Sequence, residues 1–106
     1  MIDSESISMS RMVAEYISVN ATDADRPLTA PQISSHFHIH PSQVRACVNL
    51  SRTMGLPVCS NGKGYFYSTR PEDIQATISH MEGRIRKQRE AINGLKAFMG
   101  EVQRNG

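Results

Sequence analysis

The chain of 106 residues has no apolar run approaching the ~20 residues of a membrane span. No membrane partner is expected. Its start, Met1-Ile2-Asp3-Ser4-Glu5, is acidic and polar, which does not read as a secretory signal. Cysteine is scarce: Cys47 and Cys59 are the only two, and they form no C-x-x-C pair. A cytoplasmic protein with reduced thiols is the expectation. There is no glycine-rich phosphate loop and no nucleophile–base constellation. Cys47 and His40 are helical neighbours rather than a dyad. No enzymatic activity, cofactor or small-molecule ligand is therefore expected. His36, His38 and His40 alternate, but they span a helix end and a turn, and closed metal sites need three or four converging ligands. No metal is expected either.

The most informative absence is that of acid. Residues 28–70 carry Arg45, Arg52, Lys63 and Arg70 and no carboxylate, a net +4. Residues 1–27 set Arg11 and Arg26 against Asp3, Glu5, Glu15, Asp23 and Asp25, a net −3. Residues 71–106 carry six bases and five acids. The whole-chain charge of +2 thus hides an acid-free middle suited to a polyanion.

That middle has a readable order from Thr29 to Tyr67. Thr29 and Gln32 have capping-box spacing. Ile33 and Phe37, four apart, share a core-facing side. These signals predict a helix over 30–37. Ile39 in the following turn is a candidate core anchor. Pro41 fits the first position of the next helix, where its missing N–H costs nothing, and Gly55 fits a C-terminal stop. The predicted helix, about 41–54, puts Val44, Cys47 and Val48 inward, with Leu50 and Met54 on the adjoining flank. It turns Ser42, Gln43, Arg45, Ala46, Asn49 and Arg52 outward. Asn61-Gly62 is a strong hairpin-turn pair. The hairpin it closes alternates Tyr65 and Tyr67 on one side with Phe66 on the other, facing the core. Leu28 is a candidate one- or two-residue strand beside it.

Upstream, a helix over 6–19 is predicted from Met9, Met12, Val13, Tyr16 and Ile17, which follow the helical rule and are read as core. Asn20 to Pro27 reads as a polar loop. Helix, helix, turn, helix and hairpin in this order resemble a winged helix-turn-helix of the biotin operon repressor type. The likeness is carried by Val44-Arg45, Val48-Asn49, Arg52, Gly55-Leu56-Pro57-Val58 and Gly62-Lys63-Gly64-Tyr65-Phe66, and covers about residues 7–70. Small phage and prophage DNA-binding proteins look similar. The resemblance implies double-stranded DNA as partner. Helix 41–54 would lie in the major groove and the 58–67 wing on the backbone or minor groove. Gln43, Arg45 and Asn49 would then meet base edges, and Ser42, Arg52 and Lys63 the backbone. This chain departs from the pattern at His38 (usually Gly), His40 (usually Ser or Thr) and Ser51 (usually Leu, a role Leu50 is expected to take). The family's ligase activity is not implied.

After residue 70 the pattern changes. Thr69-Arg70-Pro71-Glu72 is a second capping signal. Apolar residues then fall at Ile74, Ile78, Met81, Ile85, Ile92, Leu95, Met99 and Val102, with Gln88 at the one missing core position. This is a heptad seam on a helix of ~45–50 Å. The expected fold class is α+β, mainly α: a winged helix-turn-helix domain over 1–70 and an oligomerisation helix over 71–106. Ile74, Ile78, Met81, Ile85, Gln88, Ile92 and Leu95 would pair it with a second copy, as a dimer or higher homo-oligomer. Arg84 would face Arg89 in a parallel pair, which favours an antiparallel one. A helix folded back on residues 6–19 is the plainer alternative. Arg84, Arg86, Lys87 and Arg89 form a basic cluster able to hold DNA backbone or simply to face solvent. Gly94 and Gly100 predict fraying of the last turns. A reading from another class also fits: a docking module whose long helix binds a partner protein.

Overall fold

The structure, a computed structural model, describes residues 3–105. Met1 and Ile2 of the acidic start, and Gly106 at the end of the expected helix over 71–106, lie outside them. The fold is mainly α with a small antiparallel sheet, in the order α1 (Ser4–Asn20), α2 (Ala30–Phe37), α3 (Pro41–Thr53), β1 (Val58–Asn61), β2 (Gly64–Tyr67) and α4 (Pro71–Asn105).

Side-chain caps set where the first three helices begin. Asp3 Oδ1 accepts from the Ser6 N–H at 2.7 Å, so α1 starts at Ser4 rather than at residue 6. The predicted box at α2 is present: Gln32 N–H donates to Thr29 Oγ1 at 3.2 Å, and Thr29 N–H to Gln32 Oε1 at 2.8 Å. At α3, His40 does the work of the usual serine. Its Nδ1 accepts from the Ser42 N–H at 3.1 Å, and its own N–H donates to Gln43 Oε1 at 2.8 Å. The turn between α2 and α3 needs a left-handed residue, and His38 takes it with φ 55°. Glycine would hold that conformation without the ~1–2 kcal/mol a Cβ costs there. Ile39 N–H then donates to Ser34 O at 3.1 Å, and Ser34 Oγ donates to Ile39 O.

The core is Val13, Ala14, Ile17, Ala21, Ile33, Val44, Cys47, Val48, Val58, Cys59 and Phe66. Each fully buried Val or Ile contributes about 1.5–3 kcal/mol. Met12 is not part of it. The stripe of α1 that meets α3 is Ser10, Val13, Ala14 and Ile17, and Met12 is turned to solvent. Small residues at this crossing let the two backbones approach. Ser51, fully buried, donates its hydroxyl towards Ser10 O and Cys47 O, each at 2.8 Å. Leu50 therefore does not take the inward place expected of it: the inward position is Ser51 itself, because a longer side chain there would push α1 away.

β1 and β2 pair from Val58↔Tyr67 to Asn61↔Gly64. The two-residue turn is thus Gly62-Lys63, one residue later than the Asn-Gly signal suggests. Asn61 serves it as a side chain, accepting from the Lys63 and Gly64 N–H groups at 2.9 and 3.1 Å. Leu28 bridges to Tyr65 through two 2.8 Å hydrogen bonds, as a rudimentary third strand. Gly64 is obligatory there, since a Cβ would clash with the Leu28 carbonyl.

The Thr69 capping signal is not used. Ser68 Oγ donates to Asp73 Oδ2 at 2.7 Å and accepts from the Arg70 N–H at 3.1 Å, while Glu72 pairs with Arg70 at 3.1 Å. α4 then runs unbroken for 35 residues, through Gly94 and Gly100. That is about 50 Å at 1.5 Å per residue. It does not fold back on α1; its main contact is with β1. No described helix is long and apolar enough to cross a membrane.

Candidate functional site

The outward side of α3 was the predicted site, and its residues divide three ways. At 3.6 residues per turn, Val44, Cys47, Val48 and Ser51 face inward. Ser42, Ala46 and Asn49 therefore occupy the opposite, exposed crest. Arg45 and Arg52 lie on the flank towards the hairpin. Gln43 and Leu50 lie on the flank towards α1, where they line a groove with Asp3, Glu5, Met9 and Ile39.

Arg45 and Asn49 are exposed, one turn apart, and form no hydrogen bond or ion pair to another described side chain. Their polar ends are free for an incoming surface. Ser42 and Gln43 are exposed but partly committed. Gln43 Oε1 closes the α3 cap, and Ser42 Oγ lies 2.8 Å from His40 Nδ1. Gln43 also sits across the helix from Arg45, so the two do not form one reading pair.

Arg52 is not on the free face. It is half-buried, its Nε donating to Val58 O at 2.8 Å and its Nη2 to Ser60 Oγ at 3.1 Å. Burial lowers its pKa, Tyr65 and Cys59 raise it, and the like charge of Arg84 lowers it further. An arginine stays charged under such a shift. Arg52 thus clamps the end of α3 onto β1. Lys63, by contrast, stands exposed on the hairpin turn.

The three alternating histidines have three different surroundings. His36 stacks on Tyr16 at 3.9 Å between ring centres, His38 makes the left-handed turn and His40 caps α3.

The α4 seam also divides. Ile74 packs against the protomer's own core, and Met81 is half-buried against the groove floored by Leu56, Pro57 and Val58. Ile74 is therefore a docking residue of its own domain rather than part of an open seam. The sequence reading missed Thr77, which is buried and anchors α4: it accepts from Ser60 N–H at 3.2 Å and donates to Asp73 O at 3.0 Å. Beyond it, Met81 apart, the apolar side chains are open. Ile85, Ile92, Leu95, Phe98, Met99 and Val102 are each at least half exposed, Ile78 slightly less so, and Gln88 lies among them. Phe98 falls outside the a and d positions. The i, i+3, i+4, i+7 cluster Leu95, Phe98, Met99 and Val102 was the signal for it.

No family model, curated protein or solved structure matches this chain.

Proposed function

We propose that this protein binds double-stranded DNA as a winged helix-turn-helix, with α3 in the major groove, and acts as a regulator of transcription or of phage or plasmid replication. The observation that carries the reading is the free, acid-less crest of α3. Asn49 on it and Arg45 on its hairpin-side flank are exposed and uncommitted, with Lys63 exposed on the adjacent hairpin. Arg45 and Asn49 have the geometry for base edges: guanidinium to guanine, carboxamide to adenine. Lys63 and Ser42 would meet the backbone. Arg52 supports the hairpin's position. The open apolar residues of α4 support a homo-oligomer in which a second copy covers them and sets the spacing of two half-sites.

The test is fluorescence anisotropy with mixed-sequence duplex DNA across a salt series, on protein whose mass is measured by light scattering. Steeply salt-dependent binding is expected, because phosphate contacts release counterions. Arg45→Ala should weaken binding to a selected site by about 1–3 kcal/mol and relax its sequence preference. Absence of binding even at low salt would overturn the reading.

One observation favours protein docking instead. Asp3 and Glu5 stand at the rim of the α1–α3 groove, whose floor includes Met9, Ile39 and Cys47. Acid beside an apolar floor suits a basic, apolar peptide better than DNA. In that case binding of the partner would survive Arg45→Ala.

A further inference from the structure

We infer that the cleft between the Gly62-Lys63 turn and α4 is a seat for a phosphate group, filled in the complex by a backbone phosphate of the duplex. For this occupant the inference rests on the DNA-binding reading above. The seat is assembled by the same contacts that fix α4. Thr77 pins the first turns of α4 to Ser60 of β1. His80 and Arg84, four residues apart, then fall on one side of the helix and line a cleft of about 290 Å³ together with Lys63 and Arg52.

Chemistry selects the ligand class. No carboxylate lines the cleft. Among the described residues, neither Arg52, Lys63 nor Arg84 is ion-paired. Arg52 is held rigid by its bonds to Val58 and Ser60, which leave its remaining N–H donors for an incoming acceptor. Arg84 is near enough for its charge to act on Arg52. Like charges gathered without a counter-ion destabilise one another until an anion enters. A phosphate matches guanidinium forks in both charge and geometry. The arrangement makes α4 more than an oligomerisation arm: its first turns would grip the duplex beside the hairpin, away from the base edges that α3 faces.

The experiment compares the salt dependence of duplex binding for the full chain, Arg84→Ala and Lys96→Ala. Alanine at exposed Arg84 keeps the helix, since it is the best helix former, and Lys96 lies three turns further along α4. Arg84→Ala should lower the slope of log K against log salt by about one per protomer and weaken all sequences equally, while Lys96→Ala leaves the slope unchanged. Duplex binding with an unaltered slope in Arg84→Ala would overturn the seat and leave the DNA-binding reading standing. If the full chain binds no duplex, that reading fails, and titration with inorganic phosphate decides the seat separately. Saturable shifts of the Arg52 and Arg84 Nε–H NMR signals would assign it to free phosphate. Unmoved signals would overturn it.

Discussion

If α4 pairs with a second copy as proposed, replacing Ile85 and Ile92 together by glutamine should dissociate that pair without unfolding the protomer. Both side chains are at least half exposed in the single chain, so little of their burial belongs to its own core. Pairing with a second copy would cover the remainder. Full burial of an isoleucine is worth about 1.5–3 kcal/mol, so the remaining half is worth roughly 0.8–1.5 kcal/mol. Two such residues in each of two copies sum to about 3–6 kcal/mol, or about two to four decades in the dissociation constant. Glutamine retains helix propensity and already stands in this seam at Gln88. The assay is sedimentation equilibrium over a wide protein range, paired with urea unfolding of each variant. A weakened association is expected, with an unfolding midpoint equal to the native one only at protein concentrations dilute enough for both to be monomeric. Two results would refute the reasoning: a native chain that is a monomer at every concentration, or a double variant that associates as tightly as the native one.

The crossing of α1 and α3 should tolerate only a small residue at Ser51. Ser51→Ala should cost about 0.5–1.5 kcal/mol for the lost hydrogen bond, and Ser51→Leu about 1–3 kcal/mol more from overpacking, both read by urea denaturation. Gly64→Ala should break the Leu28–Tyr65 bridge, losing two hydrogen bonds worth about 1–3 kcal/mol together, with faster amide exchange at Leu28 and Tyr65. Hydrogen bonds from Ser6 hold the Asp3 carboxylate below its ordinary pKa. A carboxylate with a lowered folded pKa stabilises above the ordinary value and loses that contribution as pH falls through the lowered one. Protection of the Ser6 amide should therefore fall in acid, and Asp3→Asn, which still caps, should remove the pH dependence.

Much of this protein was legible in the sequence because the signals are local. Thr29 with Gln32, Pro41, Gly55 and the heptad spacing each act within a few residues, where capping and steric rules apply directly. Phe66, Val44 and Val48 could be placed inward by periodicity alone. What escaped depends on residues far apart in the chain. Ser51 is buried because Ser10 lies against it, and a polar residue on a helix does not announce such a partner. Arg52 left the free face because β1 offers it a carbonyl and a hydroxyl. Ile74 was drawn from the α4 seam onto the domain, and Thr77, outside that seam, was buried beside it, because β1 passes beneath them. The turn shifted by one residue because Leu28 fixes the strand register at Tyr65 and requires glycine at 64. Local chemistry decided which segments are helix or strand. Long-range packing decided which of their polar side chains remain free to meet another molecule, because a donor or acceptor is committed only once a partner arrives beside it.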